Sequence, residues 1–445
     1  MERPSRRASA RRRLSLTSLA WTSKIFHRRR ESGLTAQPTS ESSFAARSEN
    51  PPLGGIRVIE LGQAVCAPLC ARHLADLGAD VIKIEAPDGD LARGYDSVVN
   101  GDSAYFAWAN YGKRSVVLDL RSSDGRANFE RLVGGADVLV HNLGPGSMMR
   151  LGFDHSRLRR INPLLINCAI SGYGTSGPMA QRKAFDLLVQ GESGLMSVTG
   201  TEEQPAKVGI SIVDMCTAMY ALAAIEAALI ERSTSGDGRL VEISLLDCIA
   251  EWMMAPAYHQ IHTDRPPRRE GARHNMMVPY GLYRTGPSTS VNLAIQTTPH
   301  WRSLCEDVLE APELTNHPEF ANNADRVRHR GALERRLEEL LTAVGHDEAV
   351  RRLLAAGIPT GEVNDLRGLA DHPQLKARDR WMSIQTSGGL ARTVRPPFNL
   401  AGVRTEPSVP TLGEHTASVL AELDDNASSR TNHVLDEPAA RTRTR

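Results

Sequence analysis

Short segments with continuous runs of β-branched residues alternate with longer helical stretches between residues 56 and 246, and this alternation is the strongest constraint on the fold. The apolar segments read IRVIEL, VIKIE, SVVLDL, ADVLVHN, LLINCAIS and LVEISLL. A strand that is apolar at every position, rather than at every second one, is typical of a parallel sheet buried on both faces. Because helices separate these strands, we predict an α/β fold whose parallel sheet is covered by helices on both sides.

The character of the sequence changes after Asp247. The segment YHQIHTDRPPRREGARHNMM is polar, basic and proline-containing, which is typical of a linker. Beyond it we predict strands at GLYRT and VNLAIQ, with helices near 300–311, 326–343 and 346–356. IPTGEV and VRPPFNLAG are predicted to be strands that return the chain to a sheet.

These patterns predict a division of the chain into six parts. They are a disordered or targeting-like extension (1–50), the first part of a large domain (51–250), a linker (251–278), a small α+β domain (279–357), a return to the large domain (358–423) and a disordered tail (424–445).

Composition excludes several classes of function. A hydrophobic content of 41% and a charged content of 24% over 445 residues are typical of a globular protein. The net charge of +1 gives no reason to expect a nucleic-acid partner. The six cysteines show no CxxC pair and no metal-ligand spacing, which fits ordinary packing in a reducing compartment. No apolar run approaches the ~18 residues that a membrane-spanning helix needs.

The first fifty residues differ from the rest. They begin MERPSRRASARRRLSLTSLAWTSKIFHRRR, which is rich in Arg and Ser and has Glu2 as its one acid. Such a segment is typical of a mitochondrial transit peptide. The excess of Arg over Lys along the whole chain instead favours a bacterial host, in which the segment is a disordered extension or follows a misassigned start. We expect a cytoplasmic protein, with the mitochondrial matrix as the alternative.

The segment GISIVDMCTAMYALAAIEAALI places one carboxylate, Asp214, where a long apolar helix begins. The simplest interpretation is a helix N-cap, for which Asp is a favoured residue and where its charge suits the positive end of the helix dipole. The alternative is a functional carboxylate. The local sequence leaves both open.

Two glycine-rich segments follow predicted strands. GYGTSG matches the GxGxxG pattern, but Pro178 interrupts the helix that a dinucleotide site requires, so a flexible loop over a site is the better interpretation. HNLGPGSMMRLGF bends sharply before a short helix that carries Arg150. Exposed backbone N–H groups and an arginine suit an anion such as phosphate, although a plain turn with a solvated arginine fits equally well.

Further basic residues are ambiguous, and familiar catalytic motifs are missing from the sequence. Lys113, Arg114, Arg121 and Lys183 could each bind an anion or simply face water. The sequence contains no GxSxG elbow, HxxxD, HExxH or P-loop motif.

Taken together, these segments resemble the family III CoA-transferases. The resemblance runs from GGIRVIELGQAVCAPLCARHLADLGADVIKIEAP through YGKRSVVLDLRS, CAISGYGTSGP and GISIVDMCTAMYALAAIEAAL to PTLGEHTASVL, or about residues 53–423. It implies a Rossmann-like large domain that binds CoA, a smaller domain, and two subunits interlocked as a homodimer. It also implies that Asp214 is the nucleophile.

The resemblance implies several contacts to the nucleotide portion of CoA. Asn142, Leu143 and Arg150 match the motif that contacts the nucleotide. Leu118 and Arg121 match the wall beside the adenine.

Other matches lie toward the reacting end of CoA. Lys183 stands where the family has a basic residue near the thioester. Ala64 and Val65 lie on the loop after the first strand, close to the reacting centre. Formyl-CoA transferase has a glutamine where this chain has Val65, so a side-chain hydrogen bond is lost there.

The implied chemistry is covalent catalysis. Asp214 would attack an acyl-CoA, and an aspartyl-CoA thioester would pass CoA to an incoming carboxylic acid. With a pKa near ~3.9 the carboxylate would be ionised at pH 7 without a partner base. No ATP, metal or redox cofactor is expected, because CoA thioesters are themselves the substrates.

The resemblance leaves three alternatives: a racemase, a CoA-transferase and a non-catalytic CoA-binding protein. Racemisation needs two bases, and the matching positions hold Phe185 and Gln296, which take no proton. The segments MMVPYGLYRTG and LAIQTTPHW resemble the branch that uses C4–C5 dicarboxylates with succinyl-CoA, and Arg273 or His274 could bind a second carboxylate. The chain lacks the four-glycine run of formyl-CoA transferase, which disfavours formate and oxalate. A non-catalytic CoA-binding protein is the third alternative.

Overall fold

The structure, a computed structural model, describes residues 51–398 and 407–435, with side chains as far as residue 425. The predicted extension at 1–50 lies outside the described residues.

Six strands form one parallel sheet. They are β1 (Arg57–Leu61), β2 (Asp80–Glu85), β3 (Arg114–Val117), β4 (Val138–His141), β5 (Ile166–Ser171) and β6 (Arg239–Ser244). Their order is β3-β2-β1-β4-β5-β6, and all pairs are parallel. The predicted sheet is confirmed. Because the order reverses between β1 and β4, the crevice beyond the carboxyl ends of these two strands is where such folds bind ligands.

Helices cover both faces of this sheet. They are α1 (Cys66–Asp76), α2 (Ala104–Asn110), α3 (Ser123–Gly134), α4 (Ser147–Arg150), α5 (His155–Ile161), α6 (Asp186–Glu192), α7 (Leu195–Val198), α8 (Ile212–Ser235), α9 (Leu245–Trp252) and α10 (Met254–Thr263). One core contains residues of α1, α8 and α9, and another contains residues of α3 and α5. Helix α1 ends at Asp76, and Gly78 follows it with a φ of +100°.

Helix α8 corrects one expectation. By length and composition it could cross a membrane, with a mean hydropathy of 1.6 over its most apolar window. The prediction that no apolar run approaches this length is therefore wrong. In the fold, α8 packs against α1 and α9, and 44% of that window is buried. A core helix of this kind passes the same compositional test as a membrane span.

A second region has an antiparallel sheet of its own. Its strands are β7 (Tyr280–Arg284), β8 (Ser290–Ala294) and β9 (Thr360–Gly361), in the order β7-β8-β9. Its helices are α11 (Thr298–Ser303), α12 (Asn323–Arg328), α13 (Arg330–Val344) and α14 (His346–Ala355), with a π-helical turn at Leu304–Val308. A separate core surrounds Trp301. The predicted small-domain strands GLYRT and VNLAIQ are confirmed.

Three segments differ from the prediction. Much of the expected linker is helical, since α10 extends to Thr263. IPTGEV contributes only β9, which pairs with β8 in the small sheet rather than with the large one. In VRPPFNLAG, residues 395–398 are not a strand, because Pro396 and Pro397 cannot donate ladder hydrogen bonds. Residues 399–402 lie outside the described residues.

The chain instead forms a hairpin before this segment. After α15 (Leu366–Ala370) and α16 (Pro373–Ala377), strands β10 (Trp381–Thr386) and β11 (Gly389–Val394) pair as a two-stranded antiparallel sheet.

The last described helix, α17 (Thr416–Leu435), returns to the outer edge of the large sheet. The His415 backbone N–H donates to the Ser115 carbonyl of β3. Arg114 joins Asp80 at 2.6 Å to Glu422 of α17 at 2.5 Å, so this ambiguous arginine is structural. The segment predicted to be a disordered tail, 424–445, is helical as far as Leu435, and the remainder lies outside the described residues.

Candidate active site

The side chain of Asn142 bridges the point where the strand order reverses. Its Oδ1 accepts from the Gln63 backbone N–H, and its Nδ2 donates to the Gln63 carbonyl, both at 2.9 Å. The same Nδ2 lies 3.2 Å from Cys66 Sγ at the start of α1. One amide therefore fixes the loop after β1 against the end of β4.

The loop after β1 is also held from beneath. Ala64 adopts a φ of +62°, which costs energy for a residue with a Cβ. Its backbone N–H donates to Asp90 Oδ1 at 3.1 Å, and Asp90 Oδ2 lies 2.8 Å from Lys83 Nζ. The Lys83 ammonium is fully buried, and the carboxylates of Glu60 and Asp90 raise its pKa although burial alone would lower it. A buried charge network thus supports the strained turn.

Lys113 belongs to the same network. Its Nζ is buried, 2.8 Å from Glu60 Oε2, and donates to the Pro68 carbonyl at 2.7 Å and to Asn110 Oδ1 at 2.8 Å. Burial lowers the pKa of Lys113 to about 8, with Glu60 opposing that shift. The sequence left two interpretations open for Lys113, an anion contact or a side chain facing water. Both are wrong, because its ammonium is buried among these groups.

Asp214 is the third residue of α8 and does not cap that helix. The capping carboxylate is Asp186, whose Oδ1 accepts from the Val213 N–H at 2.8 Å and from the Asp214 N–H at 3.4 Å. The N-cap interpretation of Asp214 is therefore wrong. The Asp214 carboxylate lines a cavity instead.

Asp186 is itself fixed by Gln190, one turn further along α6. Gln190 Nε2 donates to Asp186 Oδ2 at 2.6 Å, and Gln190 Oε1 accepts from the Val208 N–H at 2.9 Å. Gln190 is fully buried. The pair clamps the segment that enters α8. The sequence analysis missed both residues.

The environment of Asp214 differs from the expectation of a freely ionised acid. Burial, and secondarily the Asp186 carboxylate, raise the pKa of Asp214 to about 7. The carboxylate is thus about half protonated at neutral pH rather than fully ionised. A carboxylate with a raised pKa is a stronger base and is poorly solvated, which favours nucleophilic attack once it is ionised.

The structure brings most of the predicted site residues to two adjoining cavities. The cavity of Asp214, about 290 Å³, is lined by Ala64, Val65, Asn142, Leu143 and Lys183. A cavity of about 500 Å³ is lined by Leu118, Arg121 and Leu143. Gln63 and Leu143 line both, so the two spaces meet there.

Arg150 is the predicted contact that lines neither cavity. Its guanidinium turns back to the Pro145 carbonyl at 3.1 Å and to Ser147 Oγ at 2.7 Å. The short helix α4 leaves this side chain exposed.

A close backbone approach shapes the wall that carries Lys183. Gly172 follows β5, and a Cβ on it would lie 2.2 Å from the Ala184 Cβ. The glycine therefore lets the loop fold back so that Lys183 and Phe185 reach the cavity. This agrees with the predicted glycine loop over a site.

Comparison with known proteins agrees with this arrangement. The sequence profile of CoA-transferase family III matches residues 53–416. The chain belongs to CoA-transferase family III.

Family III members with assigned substrates resemble the chain over most of their length. It is 34% identical to the succinate–glutarate CoA-transferase of Agrobacterium fabrum, over 85% of this chain and 97% of that protein. It is 35% identical to the acetyl-CoA:oxalate CoA-transferase of Acetobacter aceti, over 84% of this chain and 96% of that protein. The crystal structure of a CaiB/BaiF family protein from Brucella suis superposes with a TM-score of 0.73 at 34% identity, covering 84% and 100% of the two chains. The chain is a CoA-transferase that acts on CoA thioesters.

Arg273 and His274, the two residues that the sequence suggested for binding a second carboxylate, lie elsewhere. Arg273 is held between Glu334 at 2.6 Å and Glu338 at 2.5 Å. His274 Nδ1 accepts from the Met276 N–H at 3.0 Å. Neither residue lines the cavity of Asp214. Within residues 51–398 and 407–425, no cluster of three or more His, Cys, Asp or Glu side chains could hold a metal ion.

Proposed function

We propose that this enzyme transfers CoA from succinyl-CoA to a C4–C5 dicarboxylic acid through an aspartyl-CoA thioester on Asp214. The observation that carries the proposal is the position of Asp214. Its half-buried carboxylate starts α8, faces a cavity at the point where the strand order reverses, and takes no part in capping the helix.

The first half-reaction exchanges the acyl group for CoA. The Asp214 carboxylate oxygen attacks the thioester carbon, the C–S bond breaks, and a mixed anhydride and CoA thiolate form. The thiolate then attacks the aspartyl carbon of the anhydride. A thioester forms on Asp214, and the donor acid leaves with the bridging oxygen.

The second half-reaction reverses these steps with a different acid. The incoming carboxylate attacks the aspartyl thioester and releases the thiolate, which then attacks the acyl carbon of the new anhydride. The new acyl-CoA leaves and the Asp214 carboxylate is restored. Neither half-reaction consumes ATP or transfers electrons.

Cys66 lines the same cavity but does not compete as the nucleophile. Burial, and secondarily the Asp214 carboxylate, raise the pKa of the Cys66 thiol far above neutrality. The thiol therefore stays protonated, and Asp214 is the available nucleophile.

The two cavities suit the two ends of CoA. We place the nucleotide in the larger cavity, beside Leu118 and Arg121, and the pantetheine past Gln63 and Leu143 toward Asp214. Asn142 acts here mainly through the loop that it holds. Lys183 also lines the cavity of Asp214, and we place it near the reacting end.

Similarity favours a dicarboxylate acceptor but does not rank the candidates. The identities of 34% to the succinate–glutarate enzyme and 35% to the oxalate enzyme are too similar to choose between their acceptors. The lack of a four-glycine run still disfavours oxalate. Racemisation has no support, because Phe185 lines the cavity where a base would be needed.

We also propose a homodimer in the cytoplasm. Helix α10 has no buried residue in the single chain, and Trp252, Tyr258 and Ile261 on α9 and α10 are exposed apolar side chains. Light scattering of the purified protein tests the dimer. Fractionation of the source cells, including mitochondria if the host has them, tests the location.

The central test is a trapped intermediate. Purified protein incubated with succinyl-CoA is expected to carry a CoA adduct on the peptide that contains Asp214, detected by mass spectrometry. Addition of glutarate, itaconate, mesaconate or citramalate should discharge the adduct and give the new CoA ester. Asp214→Asn should form neither. Exchange that persists in this variant would refute the proposed nucleophile.

A further inference from the structure

Among the described residues, the cations that line the cavity of Asp214 are Arg182 and Lys183. Family resemblance assigns Lys183 to the thioester region, so the mechanism leaves Arg182 unused. We infer that Arg182 binds the distal carboxylate of dicarboxylic substrates and thereby selects them over monocarboxylic acids. This inference rests on the proposed function.

The other arginines near the site are already engaged. Arg150 donates to Pro145 and Ser147, and Arg93 forms a bidentate pair with Glu85 at 2.7 and 2.8 Å. Arg273, the candidate from the sequence, is held by two glutamates and lies outside the cavity. An engaged guanidinium would have to break these bonds to bind substrate.

Arg182 is held only loosely. Its Nη1 lies 3.9 Å from Glu192 Oε1, and the two side chains are 64% and 48% exposed. A pair this long and this exposed contributes little stability. A substrate carboxylate could therefore replace Glu192 at small cost. The planar guanidinium suits a carboxylate better than an ammonium does, since it can donate two parallel hydrogen bonds.

In the proposed mechanism, Arg182 would bind the distal carboxylate of the donor and of the acceptor in turn. The donor acid leaves the cavity before the acceptor acid enters, and each bonds to Asp214 through its reacting carboxyl group. The far carboxylate of succinyl-CoA and that of the acceptor therefore meet the same wall. One arginine can select the donor and the acceptor alike.

Matched pairs of substrates test this selection. Glutarate and valerate share a carbon count but differ in the distal carboxylate, as do succinyl-CoA and butyryl-CoA. We expect Arg182→Gln to lower kcat/KM for glutarate and succinyl-CoA by about 10- to 100-fold, the worth of a charge-assisted hydrogen bond. The values for valerate and butyryl-CoA should not change.

A second variant moves the effect in the opposite direction. Glu192→Gln removes the competing carboxylate, so kcat/KM for glutarate should rise, by about 2- to 5-fold. Arg159→Gln is the control, because Arg159 is an exposed arginine in an equally loose pair, 3.6 Å from Asp237, and does not line the cavity. This control should leave kcat/KM unchanged for both glutarate and valerate.

The outcomes separate the inference from the proposed function. If wild-type protein forms the adduct on Asp214 and Arg182→Gln weakens both acids equally or neither, Arg182 does not select. A wild-type preference for valerate over glutarate also overturns the inference and leaves the transferase intact. Without an adduct from either donor, the proposed function fails and the inference fails with it. Should Arg182→Gln fold poorly in a thermal melt, the Glu192→Gln result decides.

Discussion

The Asp186 carboxylate lies 3.4 Å from the backbone nitrogen of Asp214, so one acid caps the helix whose first turn carries the other. The sequence does not predict that Asp186 caps the helix of Asp214, because the two residues belong to different helices. It lets Asp214 face the cavity while the positive end of α8 is still satisfied.

Activity should depend on the protonation of Asp214. The carboxylate attacks only when it is ionised, and its pKa is raised to about 7. We therefore expect kcat/KM for succinyl-CoA to fall about tenfold for each pH unit below about 7, and to level off above it. Stopped assays between pH 5 and 9 measure the profile. A flat profile down to pH 5 would show that Asp214 is ionised much more easily in solution.

Replacing the capping acid should shift that profile. Asp186→Asn keeps a side-chain oxygen for the Val213 N–H but removes the charge that raises the pKa of Asp214. The acid limb should move to lower pH. Because the Asn amide then faces Gln190 Nε2, a loss of about 1 kcal/mol in stability is also expected. Asp247→Asn is a control at another helix start, and it should leave the limb in place.

The ionised Asp214 carboxylate should lower the stability of the native protein at alkaline pH. The pKa of Asp214 is raised in the folded protein, so the native state binds more protons than the unfolded chain between pH ~4 and ~7. Stability at this site is therefore lost as the pH rises through that window. Asp214→Asn should be more stable than wild type at pH 8, by roughly 1–2 kcal/mol, and nearly equal at pH 4. Urea unfolding at both pH values measures this, and equal stability at pH 8 contradicts it.

The buried charges beneath the loop should be costly to break. Lys113→Met leaves one oxygen of the buried Glu60 without its ammonium, which should destabilise the protein by about 3–5 kcal/mol. Arg131→Met removes a pair that is shorter, 2.6 Å from Asp424, but exposed. That control should cost less than about 1 kcal/mol. Chemical unfolding compares them, and similar costs would mean that water reaches the Glu60 site.

The glycine after β5 should be required for the cavity wall. Gly172→Ala places its Cβ 2.2 Å from Ala184, so the loop must move and carry Lys183 with it. We expect kcat/KM for succinyl-CoA to fall by at least about tenfold. Gly94→Ala meets no atom within 4 Å and serves as the control. Unchanged kinetics in Gly172→Ala would show that the loop adjusts without losing the site.

The parts of the fold that sequence predicted are those in which local pattern and final environment agree. Strands β1 to β6 are rich in buried β-branched residues because helices cover the sheet, so each carries a local signal. The strand predicted at VRPPFNLAG was wrong, because the prediction gave more weight to its apolar residues than to its two prolines. β9 is a two-residue strand with too little pattern to assign it to a sheet.

The residues of the site likewise fall into those that sequence predicted and those that it did not. Asp214 was predicted to be the nucleophile from its place at the start of a long helix and from family resemblance, and the structure places it at a cavity. Asp186 caps a helix that starts 26 residues later, at Ile212, a contact without periodicity. Lys113 appeared to be a surface cation because its partner, Glu60, is 53 residues away in the sequence. Such pairings exist only once the sheet has formed, so no local rule finds them.

The tie between Arg114 and Glu422 sets an order for biosynthesis. β3 is the outermost strand of its sheet, and its free edge is covered by residues near the carboxyl end of the chain. A nascent chain on the ribosome therefore carries an open strand edge until residues 415–422 have been made. Exposed edges pair readily with other chains, so the protein is vulnerable to aggregation until then, and a premature stop before these residues would leave the vulnerability permanent.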